Sequence, residues 1–271
     1  MNRAGKAVVL ARGLGTRMRK EDASAALDGE QMAAANAGLK AMIRIDRPFM
    51  DYILSELADA GYSEACLVIG PEHQVVRDYY RDNPPRRIRI NFAVQEKPLG
   101  TADAVLAAKE SIGEELFLAI NSDNYYPVEV LSGLRELGQS GVALFERDSL
   151  IAQSNIPEDR VQRFAVAKID SEGYLERIYE KPFEETIRAL GTPVYVSMNS
   201  WMFSPVIFRA CWSITPSARG ELELTDAVQY AVDVLKEKFR VRTYRSPVLD
   251  LSSRSDVAAV SNRLRGKNPI P

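Results

Sequence analysis

The first residues that could do chemistry follow a short apolar run near the start of the chain. Residues 7–11 read AVVLA, and residues 12–17 read RGLGTR. An apolar run of this length bounded by glycine predicts a buried strand. Glycine lets backbone N–H groups face a ligand, and such groups beside Thr16 and Arg17 suit a polyphosphate. The alternative is an ordinary turn between a strand and a helix.

Two well-known phosphate-binding loops do not fit this stretch. A P-loop requires Lys-Ser or Lys-Thr after its second glycine, and neither follows here. A dinucleotide fingerprint requires a third glycine three residues after Gly15, where this chain has Met18.

The composition narrows the class of protein. The chain has 271 residues, which is long enough to bury a sizeable core. Its hydrophobic fraction of 46% and its charged fraction of 27% are ordinary for a globular protein. A net charge of −2 gives no basic excess, so no nucleic-acid partner is expected. Cys66 and Cys211 lie in apolar settings and are expected to be buried thiols. With no signal-peptide pattern and no long apolar run, we expect a cytoplasmic protein with no membrane partner.

Strands alternate with helices in the first half of the chain. Strands are expected at 65–69, 88–94 and 116–120, with helices between them near 48–60, 72–80 and 101–109. This alternation predicts a parallel, doubly wound α/β sheet. Ligands of such sheets bind at the carboxyl ends of the strands.

The second half of the chain has a different pattern. A hairpin is expected over 164–179, with further strands at 141–146, 194–203 and 241–244 and helices near 205–210, 224–236 and 255–264. The sheet is therefore predicted to be Rossmann-like, mixed, and flanked by helices on both sides. Residues 19–39 form a polar, alanine-rich segment, for which we favour a partly ordered flap over a surface helix at 23–37.

Several segments resemble the motifs of one enzyme family, the sugar-1-phosphate nucleotidyltransferases. Residues 8–18 resemble its L-A-A-G-x-G-T-R signature, with Arg12 in place of the second alanine. Three further segments match the family in order: Q-x-x-x-L-G-T at 95–101, E-K-P at 180–182 and E-x-E-L-T-D at 221–226. From residue 8 to about residue 256, the chain is identified as a member of this family.

The resemblance implies a fold and a domain organisation. The fold is the family's three-layer α/β/α nucleotidyltransferase fold. Residues 1–271 would form a single domain, with a nucleotide-binding half at 1–125, a sugar-phosphate-binding half at 126–271 and no C-terminal β-helix. A homo-oligomer is a family-level expectation.

The same resemblance assigns roles to individual residues. Arg17 and Lys40 would neutralise the leaving pyrophosphate, and Lys181 would aim the attacking phosphate. Mg²⁺ would be held by Asp123 and Asp250, because magnesium needs only one or two carboxylates plus substrate phosphates. Asp256, close by, fits the first turn of the last helix. The nucleotide would contact Leu10, Ala11, Gly13, Gly15, Thr16, Gln95, Gly100 and Thr101, and the sugar phosphate would contact Asn124, Glu180, Lys181 and Asn199.

Gln95 is the residue that would read the base. An amide both donates and accepts, so it could pair with the imide edge of uracil or thymine. This favours UTP or dTTP over GTP. Gly100 would let the backbone approach the base, and Thr101 could instead cap the next helix.

The implied reaction converts an NTP and a sugar 1-phosphate into an NDP-sugar and pyrophosphate. Two alternatives stay open. Departures from the family pattern at Arg12, Ser122, Ser200 and Ser252 motivate a nucleotide-sugar sensor without turnover. Residues 121–123, which read NSD, loosely echo the D-x-D motif of metal-dependent glycosyltransferases.

Three other side chains are given structural roles. His73, the chain's single histidine, is expected to be solvated at the start of a polar helix. Trp201 and Trp212 are expected in the core.

Overall fold

A central mixed sheet organises the computed structural model, which describes residues 4–23 and 25–271. In this described part the sheet has nine strands, and its main path runs β10-β6-β9-β4-β1-β2-β3, with β7 and β8 attached beside β9. The strands of this sheet are β1 Lys6–Leu10, β2 Glu64–Ile69, β3 Arg89–Val94, β4 Phe117–Asn121, β6 Gly141–Glu146, β7 Val166–Ile169, β8 Leu175–Tyr179, β9 Tyr195–Phe203 and β10 Arg240–Tyr244, and a separate two-stranded ladder joins β5 Asn124–Tyr125 to β11 Leu249–Asp250.

Helices cover both faces of the sheet, and two apolar clusters fill the space between the layers. A single 3₁₀ turn spans Lys40–Met42. The helices are α1 Thr16–Arg19, α2 Gly29–Ala37, α3 Phe49–Asp59, α4 Gln74–Asp82, α5 Thr101–Ala107, α6 Lys109–Ile112, α7 Val128–Arg135, α8 Arg147–Gln153, α9 Glu158–Val161, α10 Glu184–Leu190, α11 Val206–Ser213, α12 Leu224–Asp233 and α13 Asp256–Leu264. The three-layer α/β/α fold expected from the sequence is confirmed.

Strand β1 is the axis of the sheet. Its side chains Val8 and Val9 are fully buried, as a strand packed on both faces requires. It pairs in parallel with β2 on one side and β4 on the other, so that Leu10 lies opposite both Val68 and Asn121. The strands end together, which places the loops after β1 and β4 at one edge of the sheet.

The short β5–β11 ladder ties the end of the chain to this edge. It is antiparallel and sets Asp250 opposite Asn124. The backbone N–H of Leu251 donates to the carbonyl oxygen of Asp123 at 2.8 Å. Two segments more than a hundred residues apart in sequence therefore meet beside the end of β4.

Residues 19–39 do not form the open flap favoured from the sequence. Helix α2 fills 29–37, and it begins with a capping box in which the Asp28 side chain accepts from the N–H of Gln31 and the Gln31 side chain accepts from the N–H of Asp28. Residue 24, part of the alternative helix at 23–37, lies outside the described residues. This helix is hard to predict because Ala35 is its one buried residue, so no regular apolar pattern marks the face that it buries.

The structure corrects the expectation for one of the two tryptophans. Trp201 is fully buried as expected, but Trp212 is 82% exposed at the end of α11.

The division of the chain into halves at residue 125 stays a prediction, since one continuous sheet serves both halves. No helix in the described residues is long and apolar enough to span a membrane.

His73 is buried, contrary to the sequence-based expectation, because it folds back on its own turn. Its Nδ1 accepts from the N–H of Gly70 at 3.3 Å, and its side chain is 6% exposed. Burial lowers the pKa of His73 below its ordinary value, while the neighbouring Glu72 opposes this shift.

We expect His73 to make the stability of the protein depend on pH. Because the pKa is lower in the folded state, the unfolded chain binds the proton first, and the folded state loses stability as pH falls below about 6.5. Urea unfolding at neutral pH and at about pH 5 measures this loss. In His73→Gln, the free energy of unfolding should differ less between the two pH values than it does in the wild-type protein. An unchanged difference in free energy would contradict the assignment.

Candidate active site

The glycine loop, residues 12–15 after β1, rests on the backbone of residues 19–39, the segment that we call the insertion. Gly15 has φ +61° and Gly38, which ends α2, has φ +73°. A Cβ added to Gly15 would lie 2.4 Å from the Gly38 carbonyl oxygen, and one added to Gly38 would lie 2.7 Å from the Leu14 carbonyl oxygen. Neither position can carry a side chain, so the insertion holds the loop from behind.

Two arginines fasten this contact. Arg19 donates to the Ala37 carbonyl oxygen at 2.8 Å. Arg254, which is buried, donates to the carbonyl oxygens of Met18 at 2.9 Å and Arg19 at 3.2 Å, and to Asn36 at 2.7 Å. The planar guanidinium can serve all three acceptors at once. Arg254 therefore links the segment after Asp250 to the glycine loop and to α2.

The insertion also delivers Lys40 to the site. Lys40 follows Gly38 by two residues, and its Nζ lies 2.8 Å from Oδ2 of Asp123. Both side chains are mostly buried, at 16% and 20% exposed. Lys40 and Asp123, to which the resemblance gives different roles, thus form one ion pair.

Asp250 is held by a network that lies under the site. It accepts from the Ser252 hydroxyl at 2.7 Å, from Arg160 at 2.9 Å and from Asn124 at 3.4 Å. Arg160 also pairs with Asp256 at 3.0 Å. Burial raises the pKa of Asp250, and the nearby charge of Asp123 raises it further.

One cavity of about 350 Å³ gathers most of the predicted nucleotide site. The glycine loop, Gln95, Gly100 and the Lys40–Asp123 pair all line it. The predicted residues that line it are Leu10, Ala11, Gly13, Gly15, Thr16, Arg17, Lys40, Gln95, Gly100, Thr101 and Asp123. Asp250, Asn124, Glu180, Lys181 and Asn199 are not among the residues that line it.

The wall near Gly100 is built from two distant motifs. Gly100 has φ +120°, and a Cβ there would lie 2.5 Å from the Leu222 carbonyl oxygen. The Thr101 hydroxyl accepts from the N–H of Leu224 at 2.9 Å. Thr101 therefore satisfies the start of α12 and not the start of its own helix. No side chain of its own segment caps α12.

The predicted sugar side carries unusual backbone conformations. Among the described residues, three that are not glycine have positive φ, and two of them are Lys181 (φ 45°) and Asn199 (φ 58°). Such conformations are costly and cluster at functional sites. Burial, with Glu223 beside it, raises the pKa of Glu180. Asn124, by contrast, is buried against Asp250 and supports that carboxylate.

Arg160 and Arg254 are residues that the sequence did not single out. Both are arginines in polar segments without a motif, and their partners lie at distant positions of the chain. Their burial, visible only in the fold, is what marks them.

The residues of the site are consistent with a magnesium ion. Two carboxylates are close enough to perturb each other: Asp123, which lines the cavity, and Asp250, which does not. Magnesium takes one or two carboxylates and completes its coordination with phosphates and water, so these two residues could hold it. No group of three or more potential metal ligands occurs in the described residues.

Comparison with known proteins shows which family the chain belongs to. A family model described as Nucleotidyl transferase matches residues 6–245. The chain belongs to this nucleotidyl transferase family. The matched region contains the glycine loop, Lys40, Gln95, Asp123 and the E-K-P segment, while Asp250 lies just beyond it.

Individual relatives agree with this membership. The chain is 30% identical over 229 residues to a glucose-1-phosphate thymidylyltransferase from Streptomyces griseus, covering 84% of this chain and 57% of that protein. It is 26% identical over 230 residues to a UTP–glucose-1-phosphate uridylyltransferase from Haloferax volcanii, covering 84% and 83%. The chain thus spans little more than half the length of the thymidylyltransferase.

A solved structure shares the fold of this nucleotidyl transferase. A UDP-glucose pyrophosphorylase in complex with UDP-glucose superposes with a TM-score of 0.76, covering 98% of this chain and 100% of that one. The sequence identity is 20%, so the comparison bears on the fold alone.

We expect the Arg254 contacts to stabilise both the fold and the glycine loop. Arg254→Lys keeps the charge but cannot reach all three acceptors, so the free energy of unfolding should fall by about 1–3 kcal/mol. Nucleotide affinity should fall with it because the loop loses its support. Urea unfolding and calorimetric titration with UTP measure the two effects. The matched control is Arg265→Lys, an exposed arginine bonded only to Asn262; equal losses in the two variants would contradict the role.

Proposed function

We propose that the protein transfers a nucleotidyl group from an NTP to a sugar 1-phosphate, forming an NDP-sugar and pyrophosphate. The observation that carries this proposal is the single cavity that places the glycine loop, Lys40, Asp123 and Gln95 around one volume. A loop suited to phosphates and an amide that could read a base line the same cavity, which supports binding of a nucleotide there. Family membership and the names of the relatives support the same reaction.

Arg17 and Lys40 would bind the phosphates that leave. Arg17 is exposed in the first turn after the glycine loop, and both Arg17 and Lys40 line the cavity. Phosphoryl transfer depends mainly on positioning and on neutralising charge, which two cations flanking a loop of N–H groups supply.

Lys181 and Glu180 would bind the second substrate. A lysine is a compact charge for the phosphate of a sugar 1-phosphate, and a carboxylate accepts from vicinal hydroxyls. Glu180 and Lys181 directly follow β8, and Asn199 lies on β9. The phosphate oxygen would then attack the α-phosphorus of the nucleotide in line.

Mg²⁺ held by Asp123 and Asp250 would neutralise negative charge that develops on the phosphates. Contacts that orient both carboxylates support that role. Arg160, Ser252 and Asn124 fix the orientation of Asp250, and Lys40 fixes that of Asp123.

UTP or dTTP with glucose 1-phosphate is the pair we propose to test first. The relatives from Streptomyces griseus and Haloferax volcanii are named for thymidylyl and uridylyl transfer to glucose 1-phosphate. Purified protein and Mg²⁺ would be incubated with a panel of sugar 1-phosphates and with each of UTP, dTTP, GTP, CTP and ATP in turn. Pyrophosphate release would be followed. Release that requires both substrates is the expected result. Nucleotide binding without release by any pair would contradict transfer and favour the sensor.

Removing one charged contact should reduce turnover strongly. Asp123→Asn and Lys181→Ala should each lower kcat by about 10²–10³-fold, by analogy with the loss of one oxyanion donor. Steady-state pyrophosphate release measures this. Lys168→Ala, an exposed lysine of β7 paired with Glu176, is the control and should keep the wild-type rate. A rate near that of wild type in Asp123→Asn would contradict its proposed role.

A further inference from the structure

The side-chain amide of Gln95 is fixed in one orientation. Its Nε2 donates to the Gly100 carbonyl oxygen at 3.0 Å and to Oδ2 of Asp103 at 2.7 Å. A carbonyl oxygen and an ionised carboxylate only accept hydrogen bonds, so the amide nitrogen must be the atom that faces them. Both N–H groups of the Gln95 side chain are therefore used within the protein.

The backbone of Gln95 is held as firmly as its side chain. Its N–H donates to the Ile69 carbonyl oxygen at 2.9 Å, and its own carbonyl oxygen accepts from Nε of Arg12 at 2.7 Å. Arg12 is itself buried and also lies 3.1 Å from Glu72. The residue that departs from the family signature thus anchors the end of β3, and Gln95 has little freedom to turn.

The remaining polar atom of the amide is its carbonyl oxygen. Gln95 lines the nucleotide cavity, and no donor among the described residues is bonded to its Oε1. Oε1 is also absent from the buried, unpartnered polar atoms of that part of the chain, so it has access to solvent. Asp103 does not line the cavity and acts on it only through Gln95. Toward a ligand, Gln95 can accept a hydrogen bond but cannot donate one.

We propose that Asp103 is a positioning residue that, together with the Gly100 carbonyl oxygen, makes Gln95 an obligatory acceptor, so that the site selects nucleotides whose base presents a ring N–H. Uracil, thymine and guanine have such a group. Cytosine and adenine present a ring nitrogen with a lone pair, which would face Oε1 without a proton between them. This inference rests on the proposed function, since it takes the cavity to hold an NTP.

UTP and CTP are the sharpest pair of ligands for testing this inference. The two nucleotides have the same size and differ only at the edge that Gln95 would read. A mispaired hydrogen bond in a buried site weakens binding about 5- to 150-fold. Calorimetric titration of the wild-type protein should show UTP binding tighter than CTP by a factor in that range. N3-methyl-UTP, which lacks the ring N–H, should lose a similar factor without any change to the protein.

Asp103→Asn tests the role of the carboxylate. An asparagine at 103 offers a donor as well as an acceptor, so it no longer opposes reversal of the Gln95 amide, and only the Gly100 carbonyl oxygen still favours the original orientation. The reversed amide could donate to the ring nitrogen of cytosine, so the UTP-to-CTP affinity ratio should fall below that of the wild-type protein, mainly because CTP binds better. General damage to the site would weaken both nucleotides and leave the ratio unchanged.

Two further variants serve as controls. Asp103→Glu keeps an acceptor-only side chain and should keep most of the UTP-to-CTP ratio. Asp148→Asn makes the same chemical change in the first turn of α8, on an exposed aspartate paired with Arg147, and should leave the ratio unchanged.

The outcomes separate this inference from the proposed function. Equal affinities of the wild-type protein for UTP and CTP would overturn it, as would full affinity for N3-methyl-UTP or an unchanged ratio in Asp103→Asn. Absence of pyrophosphate release with any sugar 1-phosphate would overturn the proposed reaction and leave the base preference, measured by binding, standing.

Discussion

Two aspartates of like charge meet at the carboxyl edge of the sheet, and the rest of the site depends on keeping them there. Asp123 follows β4 and Asp250 ends the chain's last short strand, and their mutual repulsion contributes to the raised pKa of Asp250. Each is paired with a cation from a distant segment, Asp123 with Lys40 and Asp250 with Arg160. Because an unpaired buried charge is costly, these two pairs fix where the insertion and α9 must lie.

The contact between Gly15 and Gly38 shows how the insertion serves this arrangement. Two backbones approach closely because neither residue has a Cβ, and Arg254 bonds to both sides of the junction. Lys40 leaves this junction directly toward Asp123. The phosphate loop, the lysine and the segment after Asp250 therefore form one connected unit, and support of the loop accounts for the insertion better than a cover over the nucleotide does.

The sequence was informative wherever local pattern and motif agreed. Apolar runs located the strands to within a residue or two, and the glycine loop, Gln95 and Asp123 were found from their places after those runs. Side-chain partners were beyond its reach. The burial of His73, the pairing of Arg160 with Asp250 and the hold of Asp103 on Gln95 depend on which segments the fold brings together. Helix α2 was only the alternative interpretation of residues 19–39, because its alanines form no distinct apolar stripe.

The path of the phosphate oxygens tests the central claim most directly. A sugar 1-phosphate labelled with heavy oxygen in its phosphate group would be incubated with an NTP, Mg²⁺ and the protein, and the products would be followed by phosphorus NMR. Attack of the sugar phosphate on the α-phosphorus predicts label in the oxygen that bridges the two phosphates of the NDP-sugar and none in pyrophosphate. Label in pyrophosphate, or a product without a labelled bridge, would contradict the account.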